Sequence, residues 1–303
     1  MLLGLLSLLL GQIFGNSVVP IGTKIAAPFT GPVLFVFLRF VVATALLFFF
    51  YLFSKPKKIK VGEYKDFAFL GFLLSINVLF FTIGIAYTTV IMSTLIYSLT
   101  PLLVGVGGHF LLQEAFTKQK VLGMLISFTG LLFLLSQSFS KLQERAFGQP
   151  LGNIIICIAM LGYSYYVIHS RKVLHEKNHA AMQTTFLTFF FVTLFLFIIL
   201  LAGLGMRQVT IKPFSPEAIA GFILVGAGSI AQYLFLQIGV KKTNAFTSSL
   251  FQYTGPFIAA SITIPLLHEQ VTPQLIIGGF LILAGVFIAT TYSQFKKSLV
   301  PSP

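Results

Sequence analysis

Long apolar runs separated by short polar stretches fill almost the whole chain. A helix needs about 20 mainly apolar residues to cross the hydrocarbon core of a bilayer, and ten runs approach or exceed that length. They leave no room for a soluble catalytic domain. The pattern therefore predicts ten spanning helices, near residues 2–23, 31–53, 67–86, 90–112, 121–138, 151–170, 180–203, 217–239, 244–267 and 274–294.

The apolar pattern contains an internal repeat. Residues 71–130 align with residues 226–285 without a gap, and sixteen of the sixty aligned positions are identical. Chance pairing in so biased a composition would give about four or five identities. The chain is therefore predicted to consist of two related units of five helices each, residues 1–145 and residues 146–303. Paired units are typical of membrane transporters whose substrate site lies between the two units.

The composition agrees with a lipid environment and excludes several partners. Hydrophobic residues make up 56% of the chain and charged residues 9%, a balance unsuited to a water-facing surface. The net charge of +13 does not indicate nucleic acid binding, because the basic residues lie in short loops and form no continuous patch. Cys157 is the only cysteine and excludes an intrachain disulfide or a cysteine metal cluster. No metal or cofactor is expected.

The positions of the basic residues predict the orientation in the membrane. Loops on the cytoplasmic side carry an excess of Lys and Arg, and fourteen basic residues fall on one face of the predicted helices and five on the other. We call the first face the lysine-rich face. Both termini lie on it and are predicted to be cytoplasmic. Its basic residues lie at 55–65, 118–120, 171–177, 241–242 and 296–297.

The same charges predict that the second unit is upside down relative to the first. The loop after the third span is uncharged, whereas its counterpart after the eighth span carries Lys241 and Lys242. Conversely, Lys118 and Lys120 after the fourth span have no basic counterparts after the ninth. Related loops carry positive charge only in the copy that faces the lysine-rich side. The predicted fold is an all-α, polytopic membrane protein with ten transmembrane helices in two inverted five-helix repeats.

A set of short motifs recurs in both units. The first copy runs through Ala86-Tyr87-Thr88-Thr89, Leu99-Thr100-Pro101-Leu102, Glu114 with Thr117, and Gly123 with Gly130, and the second runs through Thr243, Pro256, Glu269, Thr272 and Gly278. This order resembles the EamA-type members of the drug/metabolite transporter superfamily. One departure is that Gln113 and His268 replace the usual glycine. The resemblance implies a central cavity and transport, often export, of amino acids and related metabolites across the bacterial inner membrane.

Polar side chains inside the spans indicate a substrate site. Asn77 and Gln232 are repeat counterparts near mid-span, and each amide can both donate to and accept from a zwitterionic solute. The alternative is an interhelical hydrogen bond. Ser93 with Tyr97 and Ser248 with Gln252 lie one helical turn apart on equivalent faces. The predicted site is lined by Asn16, Asn77, Ser93, Tyr97, Tyr163, Gln232, Ser248 and Gln252.

Three further residues inside the spans are assigned gating or structural roles. Pro101 and Pro256 each remove a backbone donor and free a carbonyl around Tyr97 and Gln252, where a solute or a packing kink would meet it. Arg39 is a charge deep in a span, which favours a functional role by default. Because the repeat counterpart of Arg39 is the uncharged Thr188, a structural or gating role is favoured over binding of a substrate carboxylate.

The sequence leaves the energy coupling open between uniport, exchange and a proton link. No Asp or Glu lies well inside a predicted span, which argues against a carboxylate proton relay. Glu114 and Glu269 are expected to cap the helices that follow them, together with Thr117 and Thr272. His109 is expected to be buried, with a structural role favoured over titration.

Other functions fit the sequence less well. An enzyme would need clustered carboxylates, a His-rich metal set or an activated nucleophile, and none is visible. The main alternative is an exporter of lipophilic drugs or lipid-like compounds, which the 35 Phe residues would suit. Small residues on the fifth and tenth spans form a scaffold or a homodimer contact. We expect alternating access by rocking of one five-helix half against the other.

Overall fold

The computed structural model describes residues 1–54, 56–140, 148–202, 215–267 and 272–290. Regular secondary structure within these ranges is helical throughout, which confirms the all-α prediction. The predicted unit boundary at residue 145 lies outside them. The α-helices are α1 (Leu2–Asn16), α2 (Val18–Ala26), α3 (Pro32–Phe53), α4 (Tyr64–Gly84), α5 (Val90–Tyr97), α6 (Thr100–Leu112), α7 (Lys118–Ser140), α8 (Pro150–Arg171), α9 (Ala181–Leu201), α10 (Pro216–Lys242), α11 (Ala245–Leu250), α12 (Thr254–Leu267) and α13 (Pro273–Thr290).

These helices reproduce the ten predicted spans, three of them as broken helices. In the described ranges, nine helical runs are long and apolar enough to cross a membrane. The first of them comprises α1 and α2, which are separated at Ser17, and the fourth comprises α5 and α6. The ninth predicted span is built from α11, a 3-10 turn at Phe251–Tyr253 and α12. Breaks within spans free backbone groups at membrane depth, so they need partners inside the protein.

The prolines of the fourth and ninth spans lie in the first turn of a new helix. Pro101 is the second residue of α6 and Pro256 the third residue of α12, where a helix has unpaired N–H groups in any case. The carbonyl of Ser98, at the break, accepts a hydrogen bond from the Tyr253 hydroxyl at 2.8 Å. The carbonyl that is free at this break is therefore hydrogen-bonded by a protein side chain.

Most helices pack against helices of the other unit. α1 and α2 pack on α10, and their repeat counterpart α8 packs on α4, the counterpart of α10. α3 packs on α10, and equivalently α9 packs on α4. Two mixed bundles result: the first bundle is α1, α2, α3, α10, α11 and α12, and the second bundle is α4, α5, α6, α8 and α9. The remaining two helices, α7 and α13, pack mainly against each other.

Corresponding helices of the two units run in opposite directions. α4 begins on the lysine-rich face, where Asp66 pairs with Lys177 of the α8–α9 connection. Its counterpart α10 ends on the same face, where the Lys241 ammonium donates to the carbonyl of His179 at 2.7 Å. Both contacts involve the same connection, so the start of α4 and the end of α10 lie side by side. The inverted repeat is therefore present in the fold.

Two hydrogen bonds join residues that are repeat counterparts of each other. Tyr253 donates to the carbonyl of Ser98, and the Ser127 hydroxyl donates to the carbonyl of Ile282 at 3.2 Å; both pairs are 155 positions apart. In a two-fold arrangement, a residue touches its own counterpart only at the axis. The pseudo-two-fold axis therefore passes between the fourth and ninth spans and between α7 and α13.

Small residues bring α7 and α13 into close contact within one chain. A Cβ atom on Gly123 would lie 2.5 Å from the carbonyl oxygen of Gly285, and one on Gly130 would lie 2.8 Å from that of Gly278. These are two copies of one contact, as two-fold symmetry requires. The small residues of the fifth and tenth spans therefore form a contact within one chain. A homodimer stays a prediction, and it would need another surface.

Candidate substrate site

The eight predicted substrate residues are divided equally between the two bundles. The repeat makes six of them three pairs of counterparts, one member from each bundle. The other two, Asn16 and Tyr163, lie on the counterpart helices α1 and α8 and align when Gly15 is placed on Gly162. The second bundle carries Asn77, Ser93, Tyr97 and Tyr163, and the first bundle carries Gln232, Ser248, Gln252 and Asn16. A solute held between these half-sites would contact both bundles, as alternating access requires.

In the second bundle, Asn77 is bound into a polar cluster. Its amide nitrogen donates to the Tyr97 hydroxyl at 2.6 Å and to the carbonyl of Ala159 at 3.1 Å. The ring of Tyr97 lies 6.4 Å from that of Tyr163 and 5.5 Å from that of Phe81, measured between centroids. The structure therefore brings Asn77, Tyr97 and Tyr163 together. It also gives Asn77 the interhelical bonds of the alternative hypothesis.

In the first bundle, the amide of Gln232, the counterpart of Asn77, does not form such interhelical hydrogen bonds in the described ranges. Gln232 packs against Gly15, whose Cβ atom would lie 2.8 Å from Gln232 Nε2. The buried Oε1 of Gln232 has no hydrogen-bond partner in the described part of the chain. Asn16 donates to the carbonyl of Gln12 at 2.8 Å and packs against Gly255. The first half-site therefore retains an unsatisfied acceptor where the second half-site is already satisfied.

Tyr163 and Gln252 connect the two half-sites. The Tyr163 hydroxyl of the second bundle and the Gln252 amide of the first bundle lie close to each other. The Oε1 atom of Gln252 is buried and has no partner among the described residues. Leaving such an oxygen unpaired costs about 1–3 kcal/mol, so a solute N–H or O–H group placed here would recover that energy.

The two predicted serines are occupied within their own helices. Ser93 Oγ donates to the carbonyl of Val90 at 2.8 Å, and Ser248 Oγ donates to that of Asn244 at 2.9 Å. Such bonds to the preceding turn bend a helix slightly. Both serines lie next to the breaks of their spans, so a role in shaping the breaks accounts for their hydrogen bonds without a solute.

The structure adds a polar cluster that sequence reasoning missed. Gln237 Nε2 donates to the Tyr166 hydroxyl at 2.6 Å and to Ser170 Oγ at 3.0 Å, and Gln237 is 0% exposed. Tyr166 is fully buried, whereas the neighbouring Tyr165 is 52% exposed. The available signal was Gln237, the second amide inside the eighth span after Gln232.

Together these residues form a continuous row of tyrosines across the bundle interface. The rings of Tyr97, Tyr163, Tyr166 and Tyr233 follow one another at 6.4, 6.2 and 6.1 Å. The hydroxyls of the first three each meet an amide. We call these three pairs, Tyr97 with Asn77, Tyr163 with Gln252 and Tyr166 with Gln237, the tyrosine–amide row. It offers apolar ring faces beside polar groups that both donate and accept.

Arg39 is directed to another part of the first bundle. Its Nε donates to the Ser229 hydroxyl at 2.7 Å, and its guanidinium lies 5.5 Å from the centre of the Phe40 ring. This bond ties α3 to α10. The geometry supports the structural role that the sequence favoured.

A cavity of about 480 Å³ opens on the lysine-rich face and contains none of the eight predicted residues. It lies between the ends of α1, α7, α10 and α13. Its polar lining includes Thr117, Lys120, Lys242, Thr243, Asn244 and Thr247. We call it the vestibule. It borders the α10–α11 junction and lies outside the predicted site.

Comparison with known proteins identifies the family. The sequence model of the EamA-like transporter family matches residues 2–136 and 150–291. The chain belongs to the EamA-like transporter family. It is therefore a multi-pass membrane protein that carries a small-molecule substrate through a lipid bilayer.

Curated relatives of this EamA-like transporter are named only as transporters. Uncharacterized transporter YyaM of Bacillus subtilis (strain 168) is 26% identical over 229 residues, covering 74% of this chain and 72% of the relative. An uncharacterized transporter of Archaeoglobus fulgidus is 23% identical over 281 residues, covering 88% and 91%. A solved crystal structure of a protein has a TM-score of 0.74 at 19% identity, covering 100% of this chain and 98% of the other, which shows a shared fold.

Two sequence expectations for this EamA-like transporter need correction. Glu114 does not cap α7; Thr117 does so, accepting from Lys120 N at 3.3 Å. Instead, Glu114 Oε1 accepts from the backbone N–H of Ala245, the first residue of α11, at 3.2 Å. His109 is exposed and not buried, because it lies at the end of α6, where its Nδ1 is 3.1 Å from the carbonyl oxygen of Glu114.

The second unit repeats only part of this capping arrangement. Thr272 caps α13 as Thr117 caps α7, accepting from Leu275 N at 3.3 Å. Glu269 lies outside the described residues. The threonine caps are thus shared by both units.

Proposed function

We propose that this protein moves amino acids or closely related small metabolites by alternating access, with the solute bound at the tyrosine–amide row. The unpaired, buried amide oxygens of Gln232 and Gln252 carry this proposal, and Gln252 lies close to the Tyr163 hydroxyl of the row. Unpaired acceptors in a low-dielectric interior favour a solute that supplies N–H donors.

The chemistry of the row matches a zwitterion. Amide oxygens accept from an ammonium group, tyrosine hydroxyls donate to a carboxylate, and ring faces pack against an apolar side chain. The predicted site residues are all uncharged. A solute with a net charge would therefore lack a counter-ion in the interior, whereas a zwitterion carries no net charge.

We further propose export across a bacterial inner membrane, with the lysine-rich face and both termini in the cytoplasm. The excess of basic residues on that face supports this orientation. The vestibule supports loading from the same side, since it opens there and ends at the α10–α11 junction.

One observation favours the alternative, an exporter of lipophilic or lipid-like compounds. Phe81 contacts the ring of Tyr97 and is 38% exposed on the outer surface of the helices. An apolar compound would meet an aromatic surface along this route. The choice between the two functions depends on whether polar groups of the row bind the cargo.

Counterflow in proteoliposomes tests the proposal. Vesicles loaded with an unlabelled amino acid are expected to accumulate the labelled form, and a panel of amino acids and their close metabolites identifies the preferred solute. A lipophilic dye serves as the competing cargo. Exchange of the dye with no exchange of any amino acid or metabolite would establish the alternative.

The orientation is tested with single cysteines. In a Cys157→Ser background, Lys58→Cys is expected to resist a membrane-impermeant thiol reagent added to whole cells, whereas Arg207→Cys is expected to react. Both are expected to react after permeabilisation. Labelling of Lys58→Cys alone in whole cells would reverse the assigned orientation.

A further inference from the structure

The described pairs of acidic and basic side chains gather on the lysine-rich face, and each joins an acid of the first unit to a base of the second; the two histidine pairs are ion pairs only when the histidine is protonated. The opposite ends of the helices contribute none of them in the described ranges. Separation of charged groups here therefore accompanies any opening of this face. The pairs are Asp66 with His169, Asp66 with Lys177, Glu63 with His179 and Glu114 with Arg171.

The Glu114–Arg171 pair differs from the others because both of its side chains also form hydrogen bonds to the first bundle. Both residues belong to the second bundle, and Arg171 Nε lies 3.2 Å from Glu114 Oε1. Arg171 Nη1 donates to the carbonyls of Val240 and Lys241 at 3.0 and 3.1 Å. Glu114 accepts from the N–H of Ala245. The pair is therefore inserted between the end of α10 and the start of α11.

Each charged side chain is hydrogen-bonded to a backbone group of opposite polarity. The last carbonyls of a long helix such as α10 have no helical partner and carry partial negative charge, which a guanidinium satisfies. The carboxylate accepts the N–H at the start of the next helix. Both side chains are only 14% exposed, so water replaces these bonds poorly while the face is closed.

We propose that Glu114 and Arg171 form a clasp that closes the lysine-rich face and that must release in each transport cycle. This inference rests on the proposed alternating access. The clasp holds the second bundle to the α10–α11 junction, and the same junction borders the vestibule. α10 also carries Gln232 and Gln237, and α11 leads into Gln252. Release of the clasp therefore allows α10 and α11 to move, and Gln232, Gln237 and Gln252 move with them.

The mixed bundles, and not the sequence repeats, are the bodies that separate when the clasp releases. Each unit contributes helices to both bundles, and the clasp crosses from one bundle to the other. At the same junction, Lys241 donates to the carbonyl of His179 and lies 3.2 Å from Asn178 Oδ1. These bonds also cross between the bundles.

Accessibility of a buried thiol tests the clasp without any substrate. The reporter is Ser170→Cys in a Cys157→Ser background, because Ser170 is 1% exposed and lies between the bundles beside the clasp. Glu114→Gln and Arg171→Leu are each expected to raise its maleimide labelling rate at least about tenfold. Glu217→Gln, which changes an acid at the start of α10, is the matched control and is expected to leave the rate unchanged.

A charge swap separates the clasp from a simple ion pair. Glu114→Arg combined with Arg171→Glu keeps opposite charges together, but neither new side chain can bond to the backbone group that it faces. Labelling is therefore expected to stay fast. Slow labelling in the swap, or in either folded single variant, would overturn the clasp.

Folding and function are controlled independently of the reporter. Size-exclusion profiles in detergent identify folded variants. If Glu114→Gln and Arg171→Leu do not fold, Arg171→Lys takes their place. Lysine keeps the positive charge but lacks the several N–H donors of the guanidinium, so an intermediate labelling rate is expected. An unchanged rate there would contradict the clasp. Because labelling needs no cargo, failure of amino acid counterflow leaves this result intact and rejects only the proposed substrate.

Discussion

Replacing Gln232 by Leu is expected to lower the counterflow rate at least about tenfold while the protein stays folded. The Oε1 atom of Gln232 has no hydrogen bond in the described structure, so the substitution breaks no hydrogen bond between helices at that atom. It removes a bond to the charged ammonium group of the solute that is worth about 1.5–3 kcal/mol, which corresponds to about tenfold or more in rate. The measurement is counterflow per folded molecule.

The counterpart Asn77→Leu is expected to lose both transport and stability. Asn77 bonds to Tyr97 and to the carbonyl of Ala159, and removal of its amide leaves these groups unpaired. Gln183→Leu is the matched control, since its buried amide at the start of α9 bonds to the carbonyl of Lys57, outside the predicted site and the vestibule. It is expected to lower the melting temperature but to keep transport. Normal transport by folded Gln232→Leu would exclude that residue from the site.

Replacing Gly285 by Val is expected to cost roughly 3 kcal/mol or more of stability, enough to prevent accumulation of folded protein. A Cβ atom there would lie 2.5 Å from the carbonyl oxygen of Gly123 and also against Ser127. Main-chain atoms cannot move aside as side chains do, so α7 and α13 must separate.

The glycine prediction is checked by thermal unfolding in detergent. Gly62→Ala is the control, because a Cβ atom there meets nothing within 4 Å. It is expected to leave the melting temperature unchanged. A stable, normally packed Gly285→Val protein would show that the α7–α13 contact is more tolerant than its spacing indicates.

The architecture was predictable because it is encoded in local and periodic signals. Apolar runs located the spans, and the offset that pairs Asn77 with Gln232 located equivalent depths. Loop charges such as Lys241 then predicted the inversion. All three signals are properties of the chain that do not depend on which helix packs on which.

The specific contacts were not predictable in the same way. Gln237 meets Tyr166, and Glu114 meets Ala245, only because helices from different units pack together, and no periodic pattern encodes that pairing. Pro20 is the third residue of α2, as Pro256 is of α12, so the break at Ser17 does have a proline after it. The same limit explains His109, whose exposure depends on where α6 ends, and the roles of Ser93 and Ser248, whose bonds are satisfied locally.

The mixing of the two units in each bundle has a consequence for how the protein is made. α1 and α2 enter the membrane first, yet their packing partner α10 is synthesised only in the last third of the chain. Until then, Asn16 and the small residues of α1 face lipid or the insertion machinery. The first unit alone therefore cannot reach its final packing, and truncation after α7 should yield a protein that is inserted but unassembled and prone to degradation.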